Sequence, residues 1–148
     1  MIAVMKIAVA SVILGSLLSV GCANRMNAVV APRYQSKVTP VSSIGVTGQG
    51  ASVAFPAFAQ RGYNVIESSG DSRKAPFLAT VDAVGTDGAW WDGVFDFSMR
   101  VAEVATGHVV WSATAEYGNG VTINQVRSGK DAMRDMVESF AKNFPPKS

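Results

Sequence analysis

Between residues 77 and 117, apolar and polar side chains alternate in three long runs, the two-residue repeat of strands that bury one face and wet the other. Phe77, Ala79, Val81 and Ala83 share a side of the first run, opposite Thr80 and Asp82. In the second, Phe95, Phe97, Met99 and Val101 oppose Asp96, Ser98 and Arg100; in the third, Val109, Trp111, Ala113, Ala115 and Tyr117 oppose Ser112, Thr114 and Glu116. Ala105-Thr106-Gly107 fits a three-residue hairpin loop whose last position needs a left-handed backbone, which Gly107 supplies. That loop predicts the pairs Val104 with His108, Val101 with Trp111, Met99 with Ala113, Phe97 with Ala115 and Phe95 with Tyr117. A two-residue loop would set inward residues against outward ones.

Upstream, Ser43-Ile44-Gly45-Val46-Thr47 reads as a short strand closed by Gly48 and Gly50. A short helix follows from Ser52 as N-cap, with Pro56 in its first turn and Gly62 as its stop, and it turns Val53, Phe55, Phe58 and Ala59 to the core. Tyr63-Asn64-Val65-Ile66-Glu67 gives a second strand, and 68–74 a polar, solvent-facing loop. Near the end, Ser128 caps a helix over 129–143, stopped by Pro145 and Pro146, with Met133, Met136, Val137, Phe140 and Phe144 at helical spacing along one face. The pattern predicts an α+β fold of about five strands, mainly antiparallel, with a short N-terminal helix and a C-terminal amphipathic helix packed on the sheet.

Composition narrows the function more than it names it. The 148 residues carry a net charge of +2, too near neutral for a phosphate-binding surface, so no nucleic-acid partner is expected. One Cys and one His exclude a Cys/His zinc cluster, a Cys-x-x-Cys pair and an intramolecular disulfide. Lys6 precedes an uncharged apolar stretch over 7–20, shorter than the roughly 20 residues of a spanning helix, and Met5-Lys6 makes a compact opening for it. This is the order of a signal peptide.

The stretch ends in Leu17-Leu18-Ser19-Val20-Gly21-Cys22, which resembles the lipobox of bacterial lipoproteins, with Ser19 where Leu is usual and Gly21 at the cleavage position. The resemblance implies that Cys22 is lipidated and becomes the mature N-terminus, and that Ala23 after it directs export to the outer membrane. Two or three acyl chains, at about 0.8 kcal/mol per buried methylene, hold a protein to the bilayer durably. The expected organisation is a signal peptide over 1–21, a lipidated Cys with a flexible tether over 22–40 and a single domain over 41–148 on the periplasmic side.

Candidates for chemistry are few. His108 sits at a hairpin corner without a nucleophile or a second His. Asp87, Asp92 and Asp96 lack the spacing of a calcium loop and read as solvated turn carboxylates. Gly48-x-Gly50 lacks the third glycine of a dinucleotide fingerprint. No catalytic, cofactor or metal residue is therefore expected. The feature that stands out is Asp87-Gly88-Ala89-Trp90-Trp91-Asp92-Gly93, adjacent tryptophans between two long strands; Trp90 and Trp91 are the candidate partner-binding residues because indole rings anchor interfaces and headgroup regions.

Across 100–113, apolar residues, Thr106-Gly107 and then Val109-Val110-Trp111 form an element similar to one in envelope lipoproteins. The groups it resembles are the curli secretion lipoproteins, the lipoprotein activators of penicillin-binding proteins and the N-terminal domain of the Tol-Pal propeller. Arg61-Gly62-Tyr63-Asn64-Val65-Ile66-Glu67 resembles their helix-to-strand junction. The resemblance implies an anticodon-binding-domain-like sandwich, in which the sheet is mixed, and a non-catalytic interaction or assembly module of an envelope machine. The alternative is a protomer that self-associates in a secretion or export complex. No active-site residue transfers.

Overall fold

The computed structural model describes residues 24–67, 72–85, 95–117 and 129–148. In chain order they form β1 (Asn24–Val30), a 3-10 turn (Pro32–Tyr34), β2 (Ile44–Thr47), α1 (Ala51–Arg61), β3 (Val65–Glu67), a second 3-10 turn (Ser72–Lys74), β4 (Phe77–Gly85), β5 (Phe95–Glu103), β6 (Val109–Tyr117) and α2 (Gly129–Ala141). One open sheet of six strands runs β1-β6-β5-β4-β2-β3. β2 is parallel to both β3 and β4, and the other pairings are antiparallel. Parallel neighbours need a crossover, and α1 supplies it between β2 and β3.

The inward-facing residues of the alternating runs meet the two helices in one core. Ala79, Val81, Met99, Val101 and Trp111 are fully buried, as are Met133, Met136, Val137 and Phe140 along α2 and Phe144 just past its end. Phe140 stands edge-on to Phe58 of α1 at 5.9 Å and to Trp111 of β6 at 5.5 Å, and stacks on Phe144 at 4.9 Å. The polar residues predicted to oppose them, including Arg100 and Thr114, lie on the face away from the helices.

The β5-β6 register is the predicted one through its body: Phe95 with Tyr117, Phe97 with Ala115, Met99 with Ala113 and Val101 with Trp111. It departs at the turn. A bulge shifts the pairing to Ala102 with Val109, and the Glu103 amide donates to the His108 carbonyl at 3.0 Å, so Val104 does not pair with His108. The loop is one residue longer than expected and the extra residue, Val110, restores the register. Val110 is buried beside Trp111, whereas Val109, expected inside, is 47% exposed. Gly107 has the required positive φ, 71°.

Three further expectations are corrected. The segment read as a tether holds β1, which pairs along its whole length with β6, from Asn24 with Tyr117 to Val30 with Trp111. Helix α1 is capped by Gly50 rather than Ser52, which puts Pro56 inside the helix; Ala54 and Phe58 form its buried stripe and Ala59 is exposed. The cause is close packing on β4: the Gly50 amide donates to the Val81 carbonyl at 2.9 Å, and a Cβ at Gly50 would meet the Val81 side chain at 2.5 Å. Lastly, the loop after β3 is not wholly solvated, because Ser72 is buried against Gly45, where a Cβ would lie 2.2 Å from the Ser72 carbonyl oxygen.

Candidate functional site

The candidate residues Cys22, Trp90 and Trp91 lie outside the described residues, as do Asp87, Asp92 and the Ser128 cap. Their attachment points are described, and they converge. Gly85, after which the Trp90-Trp91 segment begins, pairs with Phe95, where that segment ends; Phe95 pairs with Tyr117, and Tyr117 with Asn24, two residues beyond Cys22. One row across four strands thus brings Asn24, Gly85 and Phe95, the described residues that flank the candidate segments, to the same end of the sheet.

The most available described surface is the outer edge of β1. An edge strand presents a row of unpaired amides and carbonyls, and proteins usually guard such edges with short length, proline or charged side chains, lysine above all. β3, the opposite edge, has three residues. β1 has seven, Asn24-Arg25-Met26-Asn27-Ala28-Val29-Val30, without proline or lysine, and Val29 is 64% exposed on the face away from the helices. Met26 and Val30 pack partly into the core, which fixes the strand's facing. The sequence carried this signal as Met26-x-Ala28-x-Val30, too brief a period to stand out beside the polar residues around it.

A clamp holds the far end of β1. Arg33 and Glu103 form an ion pair at 2.9 Å, and Thr106 donates its hydroxyl to the same carboxylate oxygen, also at 2.9 Å. This ties the chain leaving β1 to the β5-β6 hairpin. Asn143 donates to the Tyr34 carbonyl at 3.4 Å, so the end of α2 joins the same corner.

The remaining polar groups read as structural. His108 is exposed and its backbone amide donates to the Thr106 hydroxyl. Asp82 faces Arg100 across the open face at 3.9 Å. Tyr63 is buried and its hydroxyl donates to the Phe144 carbonyl. Burial pushes its phenol above the usual tyrosine range, against a downward pull from Arg61 and with a smaller upward push from Glu138. A phenol held protonated in this way pins the C-terminal segment and does not serve as a base. Among the described residues the Trp111 indole N–H finds no hydrogen-bond acceptor, and its ring lies edge-to-face with Phe140. Among the described residues no group of three or more His, Cys, Asp or Glu side chains is placed to hold a metal ion. The arrangement suits strand pairing and surface docking.

No family model matches the chain, and no curated protein matches it in sequence. Solved structures do match its fold. A variant of the PelC dodecamer from Paraburkholderia phytofirmans overlays with a TM-score of 0.54 at 12% identity, covering 81% of this chain and 96% of that one. Another PelC dodecamer structure from the same organism gives 0.50 at 17% identity, with 84% and 99% covered. The lipoprotein GNA1162 from Neisseria meningitidis overlays at 0.37 and 16% identity, over 72% and 94%. At these identities the PelC likeness is one of fold.

Proposed function

We propose that this chain is a lipoprotein anchored through Cys22 to the periplasmic side of the outer membrane. It acts without catalysis, as an assembly module of an envelope machine that includes further copies of itself. The observation that carries the reading is the long β1 edge, with Arg25 its one charged residue, beginning two residues after the lipobox cysteine. The fold is that of PelC chains that form dodecamers, which supports self-association as the use of that edge. The resemblance of the element around Thr106-Gly107 and Trp111 to envelope lipoprotein groups points to the same compartment. Trp90 and Trp91, on the segment between Gly85 and Phe95, are proposed as contact residues for a partner protein. No cofactor, metal or nucleic acid has a part in this reading.

The test is the mass of the full-length, lipidated protein in detergent by light scattering. The wild type is expected to form a discrete oligomer, and Asn27→Lys with Val29→Lys, which places the usual guard residues on the edge, to be monomeric with unchanged circular dichroism. A monomeric wild type, or an oligomer that both lysines leave intact, contradicts pairing through β1. Trp90→Ala with Trp91→Ala is expected to keep the oligomer and lower recovery of crosslinked partner proteins from intact cells; undiminished recovery removes the two tryptophans from the account.

A further inference from the structure

The free side of β1 follows from its ladder with β6. The Ala31 amide donates to the Val110 carbonyl at 2.8 Å, which fixes the alternation along the strand. Arg25, Asn27 and Val29 therefore turn their backbone groups to β6, and Asn24, Met26, Ala28 and Val30 turn theirs outward. The Val30 carbonyl shows this directly, since the Gln35 side-chain amide reaches it at 3.1 Å. Side chains divide the same way: Met26 and Val30 pack partly into the core, whereas Asn27 and Val29 are exposed on the open face. The strand is also close to self-complementary about its midpoint. Turned end for end about Asn27, it sets Asn24 against Val30, Arg25 against Val29 and Met26 against Ala28, with Asn27 against itself. Outward backbone groups then meet outward backbone groups, a large side chain meets a small one on the helix side, and the two Arg25 residues stand at opposite ends.

We propose that β1 pairs antiparallel with β1 of a second copy of this chain, about a two-fold axis at Asn27, so that two six-stranded sheets become one continuous sheet. The pairing rests on the reading of this edge as the surface of self-association, and it gives that surface a partner segment and a register. The opposite edge is a poor partner, because β3 has three residues and would leave four of the seven in β1 unpaired. A slip of two residues, centred on Met26, would set Met26 against Met26 and shorten the overlap to five residues. In the full register the amide of Asn24 in the second copy takes the Val30 carbonyl from Gln35. Gln35 is exposed, so its release into water exchanges one hydrogen bond for another at little net cost. The axis stands normal to the sheet; with the sheet lying along the membrane, both proposed Cys22 anchors enter the same bilayer. Copies anchored in one membrane present their edges at one level, which raises their effective concentration. An isologous pairing closes on itself, and oligomers built with it contain an even number of chains.

The experiment places a cysteine on the axis of the full-length, lipidated protein in detergent and oxidises it with copper phenanthroline. Across the axis the two copies of Asn27 form a non-hydrogen-bonded pair with Cα atoms about 4.5 Å apart, within the reach of a disulfide. The two copies of Val29 are displaced along the strands by four positions, about 14 Å, which is beyond it. Asn27→Cys is therefore expected to give at least about tenfold more covalent dimer than Val29→Cys, although both positions lie exposed on the open face. Both variants are expected to keep the circular dichroism of the wild type, whose mass by light scattering corresponds to an even number of chains. Absence of the Asn27→Cys dimer, equal crosslinking of the two variants, or an odd number of chains overturns the proposal. If Asn27→Lys with Val29→Lys still dissociates the oligomer, self-association through β1 stands and only the two-fold pairing falls; a monomeric wild type removes both. A disulfide dimer of the wild type reports a free Cys22 thiol and contradicts the anchor instead, and the two variants are then compared by the same criteria with Cys22→Ser.

Discussion

Gly48 and Gly107 look alike in the sequence, each a turn glycine beside a strand, and the structure separates them. Both have positive φ, 101° and 71°. A Cβ on Gly107 would meet nothing within 4 Å, whereas one on Gly48 would lie 2.2 Å from the Val81 carbonyl oxygen. Gly107→Ala is therefore expected to cost about 1 kcal/mol, the left-handed penalty alone, and Gly48→Ala distinctly more because β4 must also move; urea unfolding checks the order. The turns were legible because glycine has a local conformational role; the contact with Val81 was not, because it joins parts of the chain brought together only by the β2-β4 pairing. Tyr63 gives a pH test. Burial raises its phenol above the ordinary tyrosine value of about 10, so the unfolded chain releases that proton first, and the stability it confers is present below pH 10 and lost as pH rises above it. Tyr63→Phe is expected to lower stability at neutral pH by about 1 kcal/mol, by loss of the bond to the Phe144 carbonyl, and to show a shallower decline between pH 10 and 12 than the wild type. Parallel declines would contradict the assignment.

The three long strands and α2 were readable because each repeats its period often enough to outweigh local noise. Phe140 shows what that period encodes: a fully buried ring touching Phe58, Trp111 and Phe144. Phe140→Ala is expected to cost about 3–5 kcal/mol, measured by denaturant unfolding; a loss below about 1 kcal/mol would contradict its place at the centre of the core. The elements that escaped the pattern are those fixed by partners. β1 has three inward positions and owes its place to β6, and the bulge at Val110 follows from fitting a four-residue turn to a register already set by the strands. The start of α1 was set by Gly50 against Val81, which no helix-cap preference at Ser52 could announce.

In the whole molecule, the correction at β1 alters the function as much as the fold. On the proposed Cys22 anchor, a long tether would let the domain turn freely, whereas a strand beginning two residues after Cys22 sets which end of the sheet lies nearest the anchor. The site residues were legible as types in the sequence, through the lipobox pattern and the paired indoles, but the convergence of the flanking residues Asn24, Gly85 and Phe95 on one row was not, because it depends on the order of strands. All of this depends on Cys22 being the mature N-terminus. Intact-mass and N-terminal peptide mass spectrometry of the membrane-extracted protein measures that directly. The account predicts loss of residues 1–21 and a Cys22 bearing a diacylglyceryl thioether, both abolished by Cys22→Ala; a mature chain that begins elsewhere, or carries an unmodified Cys22 thiol, contradicts it.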